Sequence, residues 1–268
     1  MTRLQTAIWH EEAEPTDAFA VRRARLHGYD VTGDLLGRAS WGEMLLLLFT
    51  GQRPTAQAAA LLTDLAVAVA NPGPRDPSVH SAMAAGVSGA PAAAVLMAAL
   101  SAGAGQGGGG RDVLLAMQLH ASCGDDLTAW SGAIQAPGTE RDDAWPTMEH
   151  PPGFEPHAAQ RATTVDQTLA ALARRAPGGR LTWLQAHADE LEAMAGRPLS
   201  MAGVAAAALL DLGLAPEQGE MVYLLLRLPG AAAHALEQAQ LGFKAFPFPE
   251  LDLLDDPERP AALAGQEA

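Results

Sequence analysis

Residues 40–74 read SWGEMLLLLFTGQRPTAQAAALLTDLAVAVANPGP, and they carry start and stop signals for two successive helices. Ser40 is followed three residues later by Glu43, the spacing of a capping box in which each residue's side chain satisfies a free backbone N–H of the other. The helix it opens runs through WGEMLLLLFT, and Gly51 stands where a C′ residue adopts the left-handed conformation. Thr55 caps a second helix, AQAAALLTDLAVAVA, that stops at Asn71-Pro72-Gly73-Pro74.

The same grammar continues outward. Ser78 starts a third helix, and Pro91 takes the first-turn position of an alanine-rich helix inside APAAAVLMAALSAGAG, residues 90–105. That stretch falls short of the roughly 20 strongly apolar residues a bilayer needs, and it reads as a buried helix. It runs into a glycine tract, Gly105 to Gly110, broken only by Gln106, and the helix RDVLLAMQLHASC follows. From Asp125 to Pro156 breakers accumulate, which predicts a loop rather than a long helix. Helices resume near Thr164 with VDQTLAALARRA, LTWLQAHADELEAMA, MAGVAAAALLDLG and EMVYLLLRLPGAAAHALEQA. Few runs alternate as strands do, so the chain is expected to be all-α. The acidic tail after Glu250 is expected to fray.

Composition bounds the partners. The 268 residues are 49% hydrophobic but only 5% aromatic, so the core has to be built from closely packed alanine, leucine and valine. A net charge of −14 repels phosphate backbones and anionic lipid, so neither nucleic acid nor membrane is an expected partner. One cysteine, Cys123, excludes an intrachain disulfide and fits a reducing compartment. MTRLQTAIWHEEAEPTD lacks the apolar core of a secretory signal, and the expectation is a soluble cytoplasmic protein.

Two segments carry chemistry. The first is AGAGQGGGGRDV, residues 102–113, where a glycine-rich turn frees backbone N–H groups ahead of a helix. It suits either an anion or a close crossing of helices. No strand precedes it and no GK[ST] follows, so Rossmann and P-loop readings fail. The second is HPPGFEPHAAQ, residues 150–160, a proline-stiffened loop bearing two histidines and Glu155. It reads as a holder of acid/base groups or as a rigid connector. Arg227 is a cation in an otherwise apolar helix and either pairs with a nearby acid or reaches a carboxylate in a cleft. His234 and Glu237 share a helix face, while His80, His120 and His187 read as helix-surface or core-edge residues. No His-x-x-His, His-Glu-x-x-His or clustered-carboxylate pattern argues for a metal.

Several segments together resemble the citrate synthase family, especially its short bacterial members labelled citryl-CoA lyases. LHGYDVTGDLLGRASWGEMLLLLFTGQRPT (26–55) is similar to that family's GYD…S…E…LLxGxxPT. GAGQGGGGRDV (103–113) takes the place of HGGAxE, and PPGFEPHAAQRATTVDQTLAAL (151–172) resembles PGFGHxxxKxxDPRAxxL. GRPLSMAGVAAAALLDLGLAPE (196–217) resembles GxPLxxNVDGxxAALLxDLGxPxE, and RLPGAAAHALEQ (227–238) resembles RxxGxxAHxxEQ. The likeness spreads over about residues 25–245.

The resemblance implies a homodimer with two helical domains and a cleft between them. The large domain would comprise residues 1–111 and 201–268; the small one would comprise 112–200 with a lid-like loop at 125–160. It implies making or breaking a carbon–carbon bond between an acyl-CoA and a carboxylate-bearing keto-acid, with a coenzyme A thioester as substrate or ligand and no metal. The central side chains differ, however. The histidine of HGGAxE falls on Gly107 and that of PGFGH on Pro156, the aspartate of NVDG falls on Ala202, and an earlier Asp-His pair falls on Asn71 and Pro72. Arg227 matches an arginine that holds a substrate carboxylate, and Lys244 is the nearest cation to a second one.

Candidate catalytic residues are therefore His157, Glu155 and Gln106, the last as a hydrogen-bond donor to a thioester oxygen. Candidate substrate-binding residues are Arg227, Gly107, Gly108 and Phe154. Two functional expectations follow: a citryl-CoA lyase-like enzyme with a rebuilt site, or an inactive homologue that senses a CoA ester or partners a catalytically active paralogue.

Overall fold

The first helix forms as its capping signals dictate. In the computed structural model, which describes residues 5–135, 150–249 and 251, α1 spans Trp41–Thr50. The Ser40 side chain accepts from the Glu43 N–H, and Glu43 accepts from the Ser40 N–H at 2.7 Å. Gly51 ends α1 in the left-handed region, φ 71°. Thr55 caps α2, Ala56–Val69. The next two helices start slightly away from their expected positions. Asp76, not Ser78, caps α3 (Pro77–Val87), because Pro77 already takes the first-turn place. Pro91 sits one residue outside α4 (Ala92–Gly103) as its cap.

The remaining helices are α5 (Gly110–Cys123), α6 (Leu127–Gln135), α7 (Thr163–Ala173), α8 (Arg180–Ala195), α9 (Met201–Asp211) and α10 (Pro216–Leu241). The expected loop from Asp125 needs correction, since α6 occupies its first part. Asp126 accepts the Thr128 N–H, and the indole N–H of buried Trp130 reaches the Gly124 carbonyl at 3.0 Å. Residues 136–149 of the expected lid, and the tail beyond Leu251, lie outside the described residues.

The all-α expectation also needs correction. A three-stranded antiparallel sheet precedes the helices: β1 (Trp9–Glu14), β2 (Asp17–Leu26) and β3 (Tyr29–Asp30), in that order. Alternation did not reveal it because both faces of β1 and most of β2 are exposed. Backbone pairing and cross-strand charge hold the hairpin, with Arg22 and Arg25 both meeting Glu12. Only its inner end is anchored, where Leu26 packs with Leu35 and Leu47.

The main core is centred on α9. Ala202 through Leu209 are all buried, and the helix packs against α2, α5, α7, α8 and α10. A helix apolar all round belongs inside, and alanine lets neighbours approach closely. Below α10, a second cluster joins α3 and α4 through Val79, Ala82, Met83, Val95 and Ala99 to Ala231 and Ala235. Pro229 and Gly230 make a notch in α10. The Gly230 N–H donates to the Ala70 carbonyl at 2.8 Å, and a Cβ at Gly230 would come within 2.5 Å of that oxygen. The end of α2 thereby seats against α10, one turn from Arg227.

Candidate functional site

The glycine turn between α4 and α5 and the loop at 150–157 are joined by one buried carboxylate. Asp112, in the first turn of α5, accepts the Gly108 N–H at 3.1 Å with one oxygen and the Gly153 N–H at 2.8 Å with the other. It is fully buried. Burial raises its pKa to about 6, and the nearby Glu155 charge pushes the same way; the two N–H bonds and His150 act in opposition.

Gly153 has to be glycine. Its φ is +84°, and a Cβ there would lie 3.0 Å from the Cα of Gly203 and 3.2 Å from the Cβ of Ala116. The loop thus lies directly on α5 and α9. Backbone bonds fix it further: the Ser200 N–H donates to Gly153, and the Glu155 N–H donates to Pro198 at 2.7 Å. Arg197 holds the Pro156 carbonyl, and Arg161 bonds Asp189 and Glu192.

Arg227 closes the other side of the glycine turn. Its guanidinium is buried, donates to the Gly108 carbonyl at 3.1 Å, and pairs with Asp76. The Tyr223 ring lies 5.1 Å from its carbon, and the Tyr223 hydroxyl also donates to Gly108. The Gly108 peptide is held from both ends, N–H by Asp112 and C=O by Arg227.

The candidate residues fall into distinct surroundings. Gln106 is half-buried in the turn, and its carbonyl accepts the Gly108 N–H. Gly107 is exposed, and a Cβ on Gly107 or Gly108 would meet nothing within 4 Å. Phe154 is buried in the main core and bridges to Leu199. Glu155 is half-buried, and its charge is felt by Asp112. His157 is exposed beyond the clamped part of the loop. Ala202 is buried on α9, Asn71 and Pro72 are exposed, and Lys244 is exposed in the turn after α10. The structure therefore brings together Gly108, Arg227 and, through Asp112, the loop carrying Glu155.

Three residues around this site were not singled out as candidates from the sequence: Asp112, Asp76 and Tyr223. Asp112 had a signal, since it stands where the acidic residue of HGGAxE falls. Asp76 and Tyr223 had none, because their roles depend on how α3 and α10 pack. His120 is also unlike its reading as a surface or core-edge residue. It is 2% exposed, stacks edge-on against Trp130, and has no partner for Nδ1. Burial pushes its pKa down to about 3, with Arg180 adding to the effect.

Among the described residues, no group of three or more His, Cys, Asp or Glu side chains is arranged to hold a metal ion, and no helix is long and apolar enough to cross a membrane.

Comparison with solved structures places this architecture in a known class. The fold is that of citryl-CoA lyase. Citryl-CoA lyase from Hydrogenobacter thermophilus matches with a TM-score of 0.71 over 97% of this chain and 98% of that one, at 19% identity. ATP citrate lyase from Methanothrix soehngenii, in complex with citrate and coenzyme A, matches with a TM-score of 0.70 at 19% identity. A Methanosaeta concilii ATP citrate lyase variant in complex with (3S)-citryl-CoA matches with a TM-score of 0.70 at 17% identity. Each of these two covers 96% of this chain, while this chain spans 43% of each of theirs. No protein-family model and no curated protein matches the sequence.

Proposed function

We propose that this chain is a citryl-CoA lyase-like protein that binds a coenzyme A thioester without running the citrate synthase reaction. One observation carries the reading. The glycine turn and the loop at 150–157 are tied together by Asp112, yet the positions expected to hold the working side chains carry Gly107, Pro156 and Ala202. A positioned acid or base contributes roughly 10²- to 10⁴-fold to rate, so losing several reduces the ordinary reaction to a trace. The open space at Gly107 and Gly108 leaves the turn accessible to a thioester. Two of the structures sharing the fold contain coenzyme A or citryl-CoA, and this supports the choice of ligand.

In this reading the cleft lies between the small domain, 112–200, and the rest. The protein acts as a homodimer or beside an active paralogue. Exposed Met221, Leu225, Leu236 and Leu241 on α10 support such an association. The test is incubation with citryl-CoA while two products are followed: the keto-acid freed by carbon–carbon cleavage and the thiol freed by thioester hydrolysis. Saturable protection of the fold against heat, with neither keto-acid nor thiol released above the uncatalysed rate, is the expected result. Turnover on a par with a working lyase would overturn the proposal.

A second reading is favoured by Glu155, whose charge reaches Asp112 from a half-buried position in the clamped loop. Here Glu155 is the base, His157 the acid and Gln106 the amide donor of a rebuilt enzyme. Glu155→Gln and His157→Ala would then each abolish keto-acid release from citryl-CoA; activity undiminished in both would remove this reading.

A further inference from the structure

Asp76 makes more bonds than a helix cap needs. One of its oxygens accepts the N–H and the hydroxyl of Ser78, which completes the cap of α3. Serine, threonine or asparagine would do that equally well. The other oxygen meets the Arg227 guanidinium, which is 5% exposed. A buried guanidinium is a strong and geometrically selective receptor for carboxylates. Next to it lies a space of about one water molecule, lined mostly by apolar groups from Leu100, Gly103, Leu224 and Leu228, so a ligand carboxylate would have to take the place of Asp76 itself. Among the described residues, the carboxylate paired with this receptor is Asp76, from the chain itself.

The geometry points to Asp76 as an internal competitor that occupies Arg227 in place of a ligand carboxylate. An intramolecular partner acts at a high effective concentration, so a free carboxylate has to displace a group that is always present. The chain is thereby selective: it excludes di- and tricarboxylates in solution while leaving the glycine turn open. This deepens the proposed function, resting on it for the thioester at the turn but not for the Arg227–Asp76 pair itself.

The test is calorimetric titration with citrate of the wild-type chain, of Asp76→Asn and Asp76→Ser, and of Asp76→Asn combined with Arg227→Gln. Both single variants keep a capping side chain for α3. Wild type should give no saturable heat. The single variants should give saturable heat, with citrate bound at least about tenfold more tightly than the weakest binding the titration resolves, and the double variant should lose it. Tight citrate binding by wild type, or single variants no better than wild type, would overturn the proposal. So would single variants that fail to fold at every citrate concentration, since the pair would then be purely structural. Titration of the same samples with acetyl-CoA reports separately on the thioester reading.

Discussion

At the scale of single residues, two buried titratable groups pull stability in opposite directions with pH. Asp112 titrates near 6 in the folded chain against an ordinary value of 3.8. Between those values the folded state holds a proton that the unfolded chain has released. Its contribution is therefore greatest below about pH 4 and is lost as pH rises to about 6, a total of about 3 kcal/mol. His120 behaves in the reverse sense. Its folded value is about 3 against 6.5, so the unfolded chain gains a proton first as pH falls. Stability then drops below about pH 6.5 by roughly 1.4 kcal/mol per unit until the folded value is reached. In the wild-type chain the two opposed slopes overlap and largely cancel between about pH 4 and 6, so urea unfolding of the single variants is what separates them. Asp112→Asn should remove the loss on raising pH, and His120→Phe should remove the loss on lowering it. Variants that keep the wild-type pH profile would contradict these assignments.

At the scale of elements, close backbone approach and short side chains do much of the work of placing the loop and the helix ends. A Cβ on Gly203 would run into the Gly153 carbonyl and lie 2.8 Å from Leu199. Gly203→Ala should therefore cost about 1–3 kcal/mol by overpacking, measured as a lower urea midpoint, and should displace the loop at 150–157. Asp211 caps α8 from the end of α9, accepting the Arg180 N–H at 2.6 Å and the Leu181 N–H at 3.0 Å. Asp211→Ala leaves both donors unpaired and should cost about 1–2 kcal/mol in the same measurement.

Legibility follows from the same contrast between local and distant partners. The box at Ser40, the stop at Gly51 and the cap at Thr55 are local, and they form as read. Asp211 could not be read as a cap, because it lies some thirty residues from the helix it serves. The hairpin of β1 and β2 was invisible to hydrophobic alternation, since it buries almost nothing. Asp126 and Trp130, which build α6, were hidden inside a stretch judged by its prolines.

At the scale of the whole molecule, the packing is continuous while the positions expected to carry the working side chains hold Gly107, Pro156 and Ala202. The main core runs from Leu45 on α1 to Leu226 on α10, through the helices that surround α9. The family-like segments were legible because they are mostly helix-packing segments. Among the site residues, Arg227 and the glycine turn were legible as chemistry-bearing, but the pairing of Arg227 with Asp76 was not, since it joins positions 151 residues apart. The proposed reading, in which thioester binding persists without proton transfer, rests on this scaffold and on the alanine buried at 202. The measurement that tests this most directly is calorimetric titration of the purified chain with acetyl-CoA, followed by addition of oxaloacetate and assay of the thioester in the same cell. Saturable micromolar binding with the thioester intact is the predicted result. The absence of heat with both acetyl-CoA and coenzyme A, or consumption of the thioester, would contradict it.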